Sequence, residues 1–271
     1  MNIEANFPDL STAVVMGILN ITPDSFYDGG RYIERTNYLE QTERMLLDGA
    51  SIIDIGGASS RPGASEVGAV TEWERILPVL KDIRKAFPEC CISVDTFHSD
   101  VAMKAIEHGA DMINDISGGT FDPHMPFVIG KHNIPYVIMH MQGRPGNMQI
   151  DPQYDNVIND IRDFFQKQVN IFTSHGAQRL VLDPGFGFGK TLDHNYMILR
   201  ELEHLKALGY PLMVGLSRKS MINKVLKTKP EDALNATSSL NTIALLNGAK
   251  ILRVHDVKEA VEVVKLVGRL G

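Results

Sequence analysis

The sequence predicts an α/β fold, a single-domain (βα)8 TIM barrel over residues 1–271. The length of 271 residues, 44% of them hydrophobic, matches the ~250 residues typical of such a barrel. Short apolar, β-branched runs alternate with segments whose apolar residues recur at three- and four-residue spacing, which is the pattern of βα units. Eight such runs occur, and eight is the strand number that this closed barrel requires.

The predicted strands and helices alternate along the whole chain. The strands begin at Val14, Ser51, Cys91, Asp111, Pro135, Arg179, Pro211 and Lys250. Amphipathic helical segments include 36–50, 99–110, 155–177 and 193–210. Glycines expected to end helices in the left-handed conformation stand just before strands, at Gly49, Gly109, Gly176, Gly209 and Gly248.

The composition excludes several classes of partner. A net charge of −6 argues against a nucleic-acid surface, which needs a clustered basic face. The N-terminal apolar run lacks a basic flank and is shorter than the ~18 residues of a membrane span. Cys90 and Cys91 are adjacent and have no other cysteine to bridge with, which predicts buried, reduced thiols. We therefore expect a cytoplasmic protein that binds neither nucleic acid nor membrane.

Polar residues follow the predicted strands, where the strand ends of a barrel converge on one mouth. They are Asn20, the Gly56-Gly57 turn leading to Ser60 and Arg61, Asp95, Asn114, His140, Asp183, the Ser217-Arg218-Lys219 group, and Arg253 with His255. Asp95 and Asp183 would accept hydrogen bonds from N–H donors, whereas the cations would bind an anion. The predicted substrate therefore has a polar heterocycle at one end and phosphate at the other.

Four polar residues at or beside these strand ends have structural alternatives. For Asp95, a helix cap and a ligand contact stand equally open, and for Asp256 a helix cap is favoured. For Asp54, in a predicted strand, a structural hydrogen bond is favoured over ligand binding. For His140, a packed, hydrogen-bonded histidine is favoured over a metal ligand, since no other ligand stands at the required spacing.

The glycine-rich segment DPGFGFGKT begins at Asp183. It fails the Walker A pattern because Pro184 stands where the first glycine is required, and a dinucleotide fingerprint would belong near the start of a different fold. We interpret it as an exposed loop in which Phe186 and Phe188 present apolar faces beside Asp183.

Eight segments in order resemble the signature blocks of dihydropteroate synthases and extend from Met16 to His255. They are GILNITPDSFYDGG, DIGGASSRPGA, SVDTF, MINDISGG, MHMQGRPGNMQ, DPGFGFGK, GLSRKS and LRVHDV. The resemblance implies a transferase of folate biosynthesis and sulfonamide target that joins 6-hydroxymethyl-7,8-dihydropterin diphosphate to 4-aminobenzoate. It also implies a homodimer. The separation of a cationic clamp at the diphosphate (Arg61, Arg253 and His255) from an anionic Asp95 near the pterin predicts an early loss of pyrophosphate that leaves a pterin cation.

The resemblance also implies which residues bind each part of the substrates. The expected pterin positions are Asp95, Asn114, Asp183 and Lys219, with Met139 and Phe188 as apolar walls. The expected diphosphate positions are Arg61, Ser217, Arg253 and His255, with Asn20 as the ligand of Mg²⁺, an ion that needs few protein ligands. The expected 4-aminobenzoate positions are Ser60, Arg61, Pro62, Phe188, Lys219 and Ser220, and Gly215 is a further binding position. Catalytic roles are expected for Asp95, Lys219, Arg253 and His255.

The second loop departs from the family pattern. Dihydropteroate synthases commonly have E-S-T-R-P there, and this chain has Ala58-Ser59-Ser60-Arg61-Pro62. Ser60 keeps the hydroxyl of the threonine and loses its methyl. The change is expected to affect affinities for 4-aminobenzoate and sulfonamides more than activity.

Two alternative functions stay open at this point. A methyltetrahydrofolate-dependent methyltransferase of the same barrel superfamily would share the pterin positions but would have little use for the cations at the diphosphate end. A non-catalytic pterin-binding protein would be expected to lack the first two loops or Lys219, all of which this chain has.

Overall fold

The computed structural model describes residues 6–21, 31–58 and 66–270, with the backbone alone for 31–36. Its eight strands form one closed barrel in which β1 to β8 follow chain order and every neighbouring pair is parallel. They are β1 Val14–Asn20, β2 Ile52–Gly56, β3 Cys91–Asp95, β4 Met112–Asp115, β5 Tyr136–Met139, β6 Leu180–Asp183, β7 Leu212–Val214 and β8 Ala249–Val254. The predicted (βα)8 TIM barrel is confirmed.

The helices lie between the strands in the order expected for βα units. They are α1 Arg31–Leu47, α2 Ala69–Ala86, α3 Ser99–Glu107, α4 Met125–His132, α5 Val157–Ser174, α6 Leu192–Arg200, α7 Leu202–Lys206, α8 Ser220–Leu226, α9 Leu234–Leu246 and α10 Val257–Val267. The predicted helical segment 193–210 is broken at Glu201, near the point where the Asn247 side chain donates to the Leu199 carbonyl at 2.8 Å. The five glycines predicted to end helices all have φ between 82° and 100°, as expected.

The amino end of the barrel is closed by apolar side chains. An interior cluster that includes Val14, Ile52 and Cys91 fills this end, and Phe7 and Leu10 of the N-terminal segment pack against it. Both cysteines are buried free thiols, as predicted, and burial raises the pKa of Cys90 to about 12. The polar strand ends therefore all face the opposite, carboxyl end.

Arg84 in α2 ties together the loops at the amino end of the barrel. Its guanidinium donates to the carbonyl oxygens of Pro88, Cys90 and Gly109 at 2.7, 2.8 and 2.7 Å, and it is paired with the carboxylate of Asp111. Asp111 in turn accepts from the backbone N–H of Ile92, the second residue of β3, at 2.9 Å. One side chain thus joins α2 to the loops before β3 and β4.

Replacement of Arg84 by methionine should lower the free energy of unfolding by about 3 kcal/mol, because it leaves the Asp111 carboxylate and three carbonyls without their donor. Urea unfolding measures the change. The control is Arg200→Met, which removes an exposed pair with Glu201 and should change stability by less than about 0.5 kcal/mol. Equal destabilisation by both substitutions would contradict a special role for Arg84.

Candidate active site

The carboxyl ends of the strands bring the predicted polar residues to one mouth. Asn20, Asp95 and Asp183 are the last residues of β1, β3 and β6, Asn114 is the third of the four residues of β4, and His255 directly follows β8. Because all eight strands are parallel, these positions lie at the same end of the barrel. The predicted juxtaposition is confirmed for the described residues.

Arg253 is the centre of a network inside the mouth. Its Nε donates to Asp54 Oδ2 at 2.7 Å, and its second terminal nitrogen donates to Asp95 Oδ2 at 2.8 Å. Asn114 Nδ2 donates to the same Asp54 oxygen at 3.1 Å. The hydrogen-bonding role predicted for Asp54 is confirmed, and its partners are site residues.

The position of Arg253 differs from the sequence expectation in one respect. It was expected at the diphosphate, apart from an anionic Asp95, and the structure instead joins the two directly. The reason is register: β1 lies between β8 and β2, and the inward-facing Arg253 reaches over β1 to Asp54. Burial raises the pKa of Asp95, and the charge of Arg253, in direct contact with it, opposes that rise.

The loop after β6 is built around the Asp183 carboxylate. Asp183 Oδ1 accepts from the backbone N–H of Gly185 at 2.7 Å, and burial raises the pKa of Asp183. The expectation that Phe186 presents a face to the ligand is wrong: its side chain is fully buried in the core between barrel and helices. Phe188 is only partly buried.

Lys219 lies beside Phe188 at this side of the mouth. Its Nζ is 4.7 Å from the centre of the Phe188 ring and donates to the Phe186 carbonyl. Burial lowers the pKa of Lys219 to about 8, with the nearby Asp183 charge opposing the change. An aromatic face, an amine and a carboxylate therefore adjoin one another.

The end of β8 contributes a histidine and a hydroxyl. Ser217 Oγ is 3.0 Å from Nδ1 of the exposed His255. Arg218 binds Asp256 through two contacts of 3.0 and 2.6 Å. Asp256 occupies the N-cap position of α10, as expected, but its side chain makes no capping hydrogen bond because it is paired with Arg218. The capping alternative for Asp95 is likewise excluded, since α3 begins at Ser99 with His98 as its N-cap.

The remaining predicted positions fall in three groups. Ser60, Arg61 and Pro62 lie outside the described residues. Met139 is buried at the end of β5, and Gly215 directly follows β7. Ser220 is exposed as the first residue of α8.

Asn20 offers a side-chain oxygen next to the mouth. A Cβ placed on Gly56 would lie 3.6 Å from Asn20 Oδ1 and 3.8 Å from Asp95 Oδ2, so the two oxygens flank this glycine. Oxygen donors of this kind suit Mg²⁺, which binds a few protein oxygens together with phosphate and water. The described residues contain no group of three or more histidine, cysteine or acidic side chains placed to hold a metal.

Sequence reasoning missed one residue of this region, Lys190. It ends the glycine-rich segment, is buried, and contacts Nδ1 of His140 at 3.0 Å. His140 is therefore a packed, hydrogen-bonded histidine, as favoured. The signal in the sequence is a lysine directly after the last loop glycine. The failed Walker A pattern leaves this lysine without a role.

No helix in the described ranges combines the length and the apolar character that a bilayer crossing demands.

Carboxylates beside cations at the mouth of a parallel barrel define an enzyme site for a polar heterocycle and an anion. The family model described as pterin binding enzyme matches residues 16–255. The dihydropteroate synthase of Haemophilus influenzae is 44% identical over 260 residues, 95% of this chain and 94% of that protein. The Escherichia coli synthase is 43% identical over 261 residues, 96% of this chain and 92% of that protein.

Solved structures agree with this relationship. The Yersinia pestis dihydropteroate synthase in a sulfonamide drug complex has a TM-score of 0.91 at 43% identity, covering 97% of this chain and 96% of its own. The Thermus thermophilus synthase in complex with 4-aminobenzoate has a TM-score of 0.86 at 34% identity, covering 97% and 96%. The chain belongs to the pterin-binding enzyme family and, within it, to the dihydropteroate synthases, which are transferases of folate biosynthesis.

The lowered pKa of Lys219 predicts a pH-dependent effect of Lys219→Met on stability. In the native protein the folded lysine loses its proton near pH 8 and the unfolded one near about pH 10.5, so native stability should rise with pH across this window. The variant lacks this rise. The difference in unfolding free energy, variant minus native, should therefore fall by about 1–2 kcal/mol between these pH values. Parallel stability curves from urea unfolding would show that the buried amine is not perturbed.

Proposed function

We propose that this chain condenses 6-hydroxymethyl-7,8-dihydropterin diphosphate with 4-aminobenzoate, and that pyrophosphate leaves before the amine attacks. The observation that carries the proposal is the barrel mouth itself. One set of side chains offers hydrogen-bond acceptors and an amide for a pterin edge, namely Asp183, Asn114 and Asp95. A second set brings positive or protonatable groups to the same opening, namely Lys219, Arg253 and His255. The named relatives are synthases, which favours this activity over a methyltransferase or a non-catalytic pterin-binding protein.

Asp183 is the proposed anchor of the pterin. Its Oδ1 accepts from Gly185 N–H at 2.7 Å, so the orientation of the carboxylate is fixed before substrate binds. We assign Oδ2 as the acceptor of a pterin N–H, with Asn114 on the adjacent part of the ring. Met139 and the Phe188 ring would cover the apolar faces of the heterocycle.

Arg253 can serve the carboxylates and the diphosphate together. A guanidinium has five N–H donors, and the contacts with Asp54 and Asp95 are made by Nε and one terminal nitrogen. The other terminal nitrogen can therefore donate to a phosphate oxygen without loss of either pair. Ser217 and His255, in contact at 3.0 Å, are proposed to bind the same group, together with Arg61.

In the proposed reaction, the bond between the pterin methylene carbon and the bridging oxygen breaks first. Its electron pair leaves with pyrophosphate, and the remaining methylene cation is stabilised by resonance with the pterin. Arg253 and His255 stabilise the leaving anion, and Asp95 stabilises the cation, both more strongly in the transition state than before it. The neutral amine of 4-aminobenzoate then forms the C–N bond and releases a proton to solvent.

We propose Asn20 as the protein ligand of Mg²⁺. Its side-chain oxygen flanks Gly56 opposite Asp95, which fits a cation held mainly by water and diphosphate oxygens. When bound, Mg²⁺ would neutralise part of the charge that develops on pyrophosphate.

The proposed site of 4-aminobenzoate, and of sulfonamides that imitate it, is formed by Ser60, Pro62, Phe188, Lys219 and Ser220. Related synthases in complex with 4-aminobenzoate and with a sulfonamide drug support a site for such ligands in this chain.

A cytoplasmic homodimer is also proposed. Large exposed apolar residues on α8 and α9 support a subunit interface, namely Val225, Leu226, Ile243 and Leu246.

Asp183→Asn should lower the affinity for the pterin diphosphate by roughly a hundredfold. Its amide oxygen can keep the bond to Gly185 N–H, which turns the NH₂ group towards the substrate N–H and leaves a buried hydrogen bond unmade, at a cost of about 3 kcal/mol. Titration calorimetry measures the change. Asp193→Asn, on the exposed first turn of α6, is the matched control and should bind as the native protein does. Unchanged affinity of the Asp183 variant would assign Asp183 a structural role.

Early ionisation predicts isotope scrambling without 4-aminobenzoate. When substrate with oxygen-18 in the bridge is incubated with enzyme and Mg²⁺, the label should move into non-bridging phosphate positions. Asp95→Asn should slow this exchange by about a hundredfold, because the cation loses its counter-charge. Direct displacement would be established instead by two results together. The native enzyme would show no scrambling, and its turnover would rise steeply with the nucleophilicity of substituted anilines.

A further inference from the structure

Lys190 is a buried amine that binds the loop after β6 from within. Only 3% of the residue is exposed, and its Nζ lies 3.1 Å from the His140 carbonyl oxygen, 2.9 Å from the Phe188 carbonyl oxygen and 3.0 Å from His140 Nδ1. Of the ion pairs in the described ranges, none includes Lys190. The amine is therefore held by two carbonyls and a ring nitrogen.

The loop has little freedom to replace these contacts. Gly185 and Gly189 have φ of 68° and 61°, and a Cβ on either would collide with the carbonyl oxygen of His140 or of Gln142. The loop backbone thus lies directly on the segment that follows β5. Lys190 links the loop after β6 to the segment after β5 through the carbonyl of Phe188, the residue whose ring faces Lys219.

We propose that Lys190 is a positioning residue for the aromatic amine: by fixing the Phe188 carbonyl against the end of β5, it sets the ring of Phe188 beneath Lys219. This inference rests on the proposed function, in which Phe188 and Lys219 surround 4-aminobenzoate. Within the described residues, the pterin anchor Asp183 makes no hydrogen bond with Lys190: its backbone oxygen accepts from His140 N–H at 2.9 Å and its carboxylate accepts from Gly185 N–H. Phe188 is also a proposed wall of the pterin, but the pterin keeps Asp183 and Met139 when the ring moves, so the larger effect of Lys190 falls on the second substrate.

A direct chemical role for Lys190 does not fit its surroundings. Its three contacts use the full hydrogen-bonding capacity of the amine. The amine of Lys190 ends against the backbone carbonyl oxygens of His140 and Phe188.

The test is Lys190→Met, which keeps the length of the side chain and removes its donors. The KM for 4-aminobenzoate should rise about tenfold or more, as expected for a misplaced binding group, while the Kd for the pterin diphosphate stays within about threefold. Tyr154→Phe is the matched control, because it removes a 2.7 Å hydrogen bond to Gly189 in the same loop without touching the Phe188 carbonyl. Its KM should stay within about twofold of the native value.

A double-mutant cycle decides whether Lys190 acts through Phe188. In a Phe188→Leu background, Lys190→Met should change the KM for 4-aminobenzoate by less than about twofold, since the ring it positions is gone. Additive effects, or equal losses for both substrates, would overturn the inference.

If Lys190→Met does not fold, His140→Leu provides a second test, because it removes only the ring acceptor of Lys190. This variant should raise the KM for 4-aminobenzoate by about threefold, and an unchanged KM would also overturn the inference. Failure of the native enzyme to use 4-aminobenzoate would instead refute the proposed function.

Discussion

The guanidinium of Arg253, held between two carboxylates, is the interaction on which the mouth of this barrel depends. Asp54 is fully buried and Asp95 largely so, and two such carboxylates without a cation could not both stay ionised. Arg253 compensates both and leaves donors for an anion. Because β8 closes the barrel against β1, this cation is present only when the sheet is complete. Barrel closure and assembly of the site are therefore one event.

The two lysines of the mouth are stabilised in another way. Lys219 binds the Phe186 carbonyl, and Lys190 binds the carbonyls of His140 and Phe188. Within the described part of the chain, neither amine has a carboxylate at contact distance. Backbone carbonyls hold a cation more weakly than a carboxylate does, and burial lowers the pKa of both amines. The cost to stability is offset elsewhere, by the apolar interior and the Arg84 network at the amino end. Separation of stability and chemistry between the two ends is typical of this fold.

The sequence predicted the barrel well because its signals are local. Strand runs, helical periodicity and terminal glycines depend on neighbouring residues, and strand-end residues of a parallel barrel must share one end. Contacts between side chains depend on register and loop conformation, which no local pattern reveals. The Arg253–Asp95 pair required the β8–β1–β2–β3 register, and the burial of Phe186 beside the partly buried Phe188 required the backbone conformation of the glycine loop. The Arg218–Asp256 pair, in place of a helix cap, joins residues 38 positions apart.

The direct contact between Arg253 and Asp95 changes how the departure of pyrophosphate is understood. With the cation and the carboxylate joined, the diphosphate meets a guanidinium whose charge is already shared, and ground-state binding is weaker than a separate cation would give. As the bond to the methylene breaks, negative charge moves towards Arg253 and positive charge towards Asp95. Arg253 then faces the negative charge of pyrophosphate and Asp95 faces the positive charge of the pterin cation, while the Arg253–Asp95 pair stays intact. A preorganised pair of this kind stabilises the separated charges more than the ground state, in which the pterin carries no positive charge, and therefore favours ionisation over tight substrate binding.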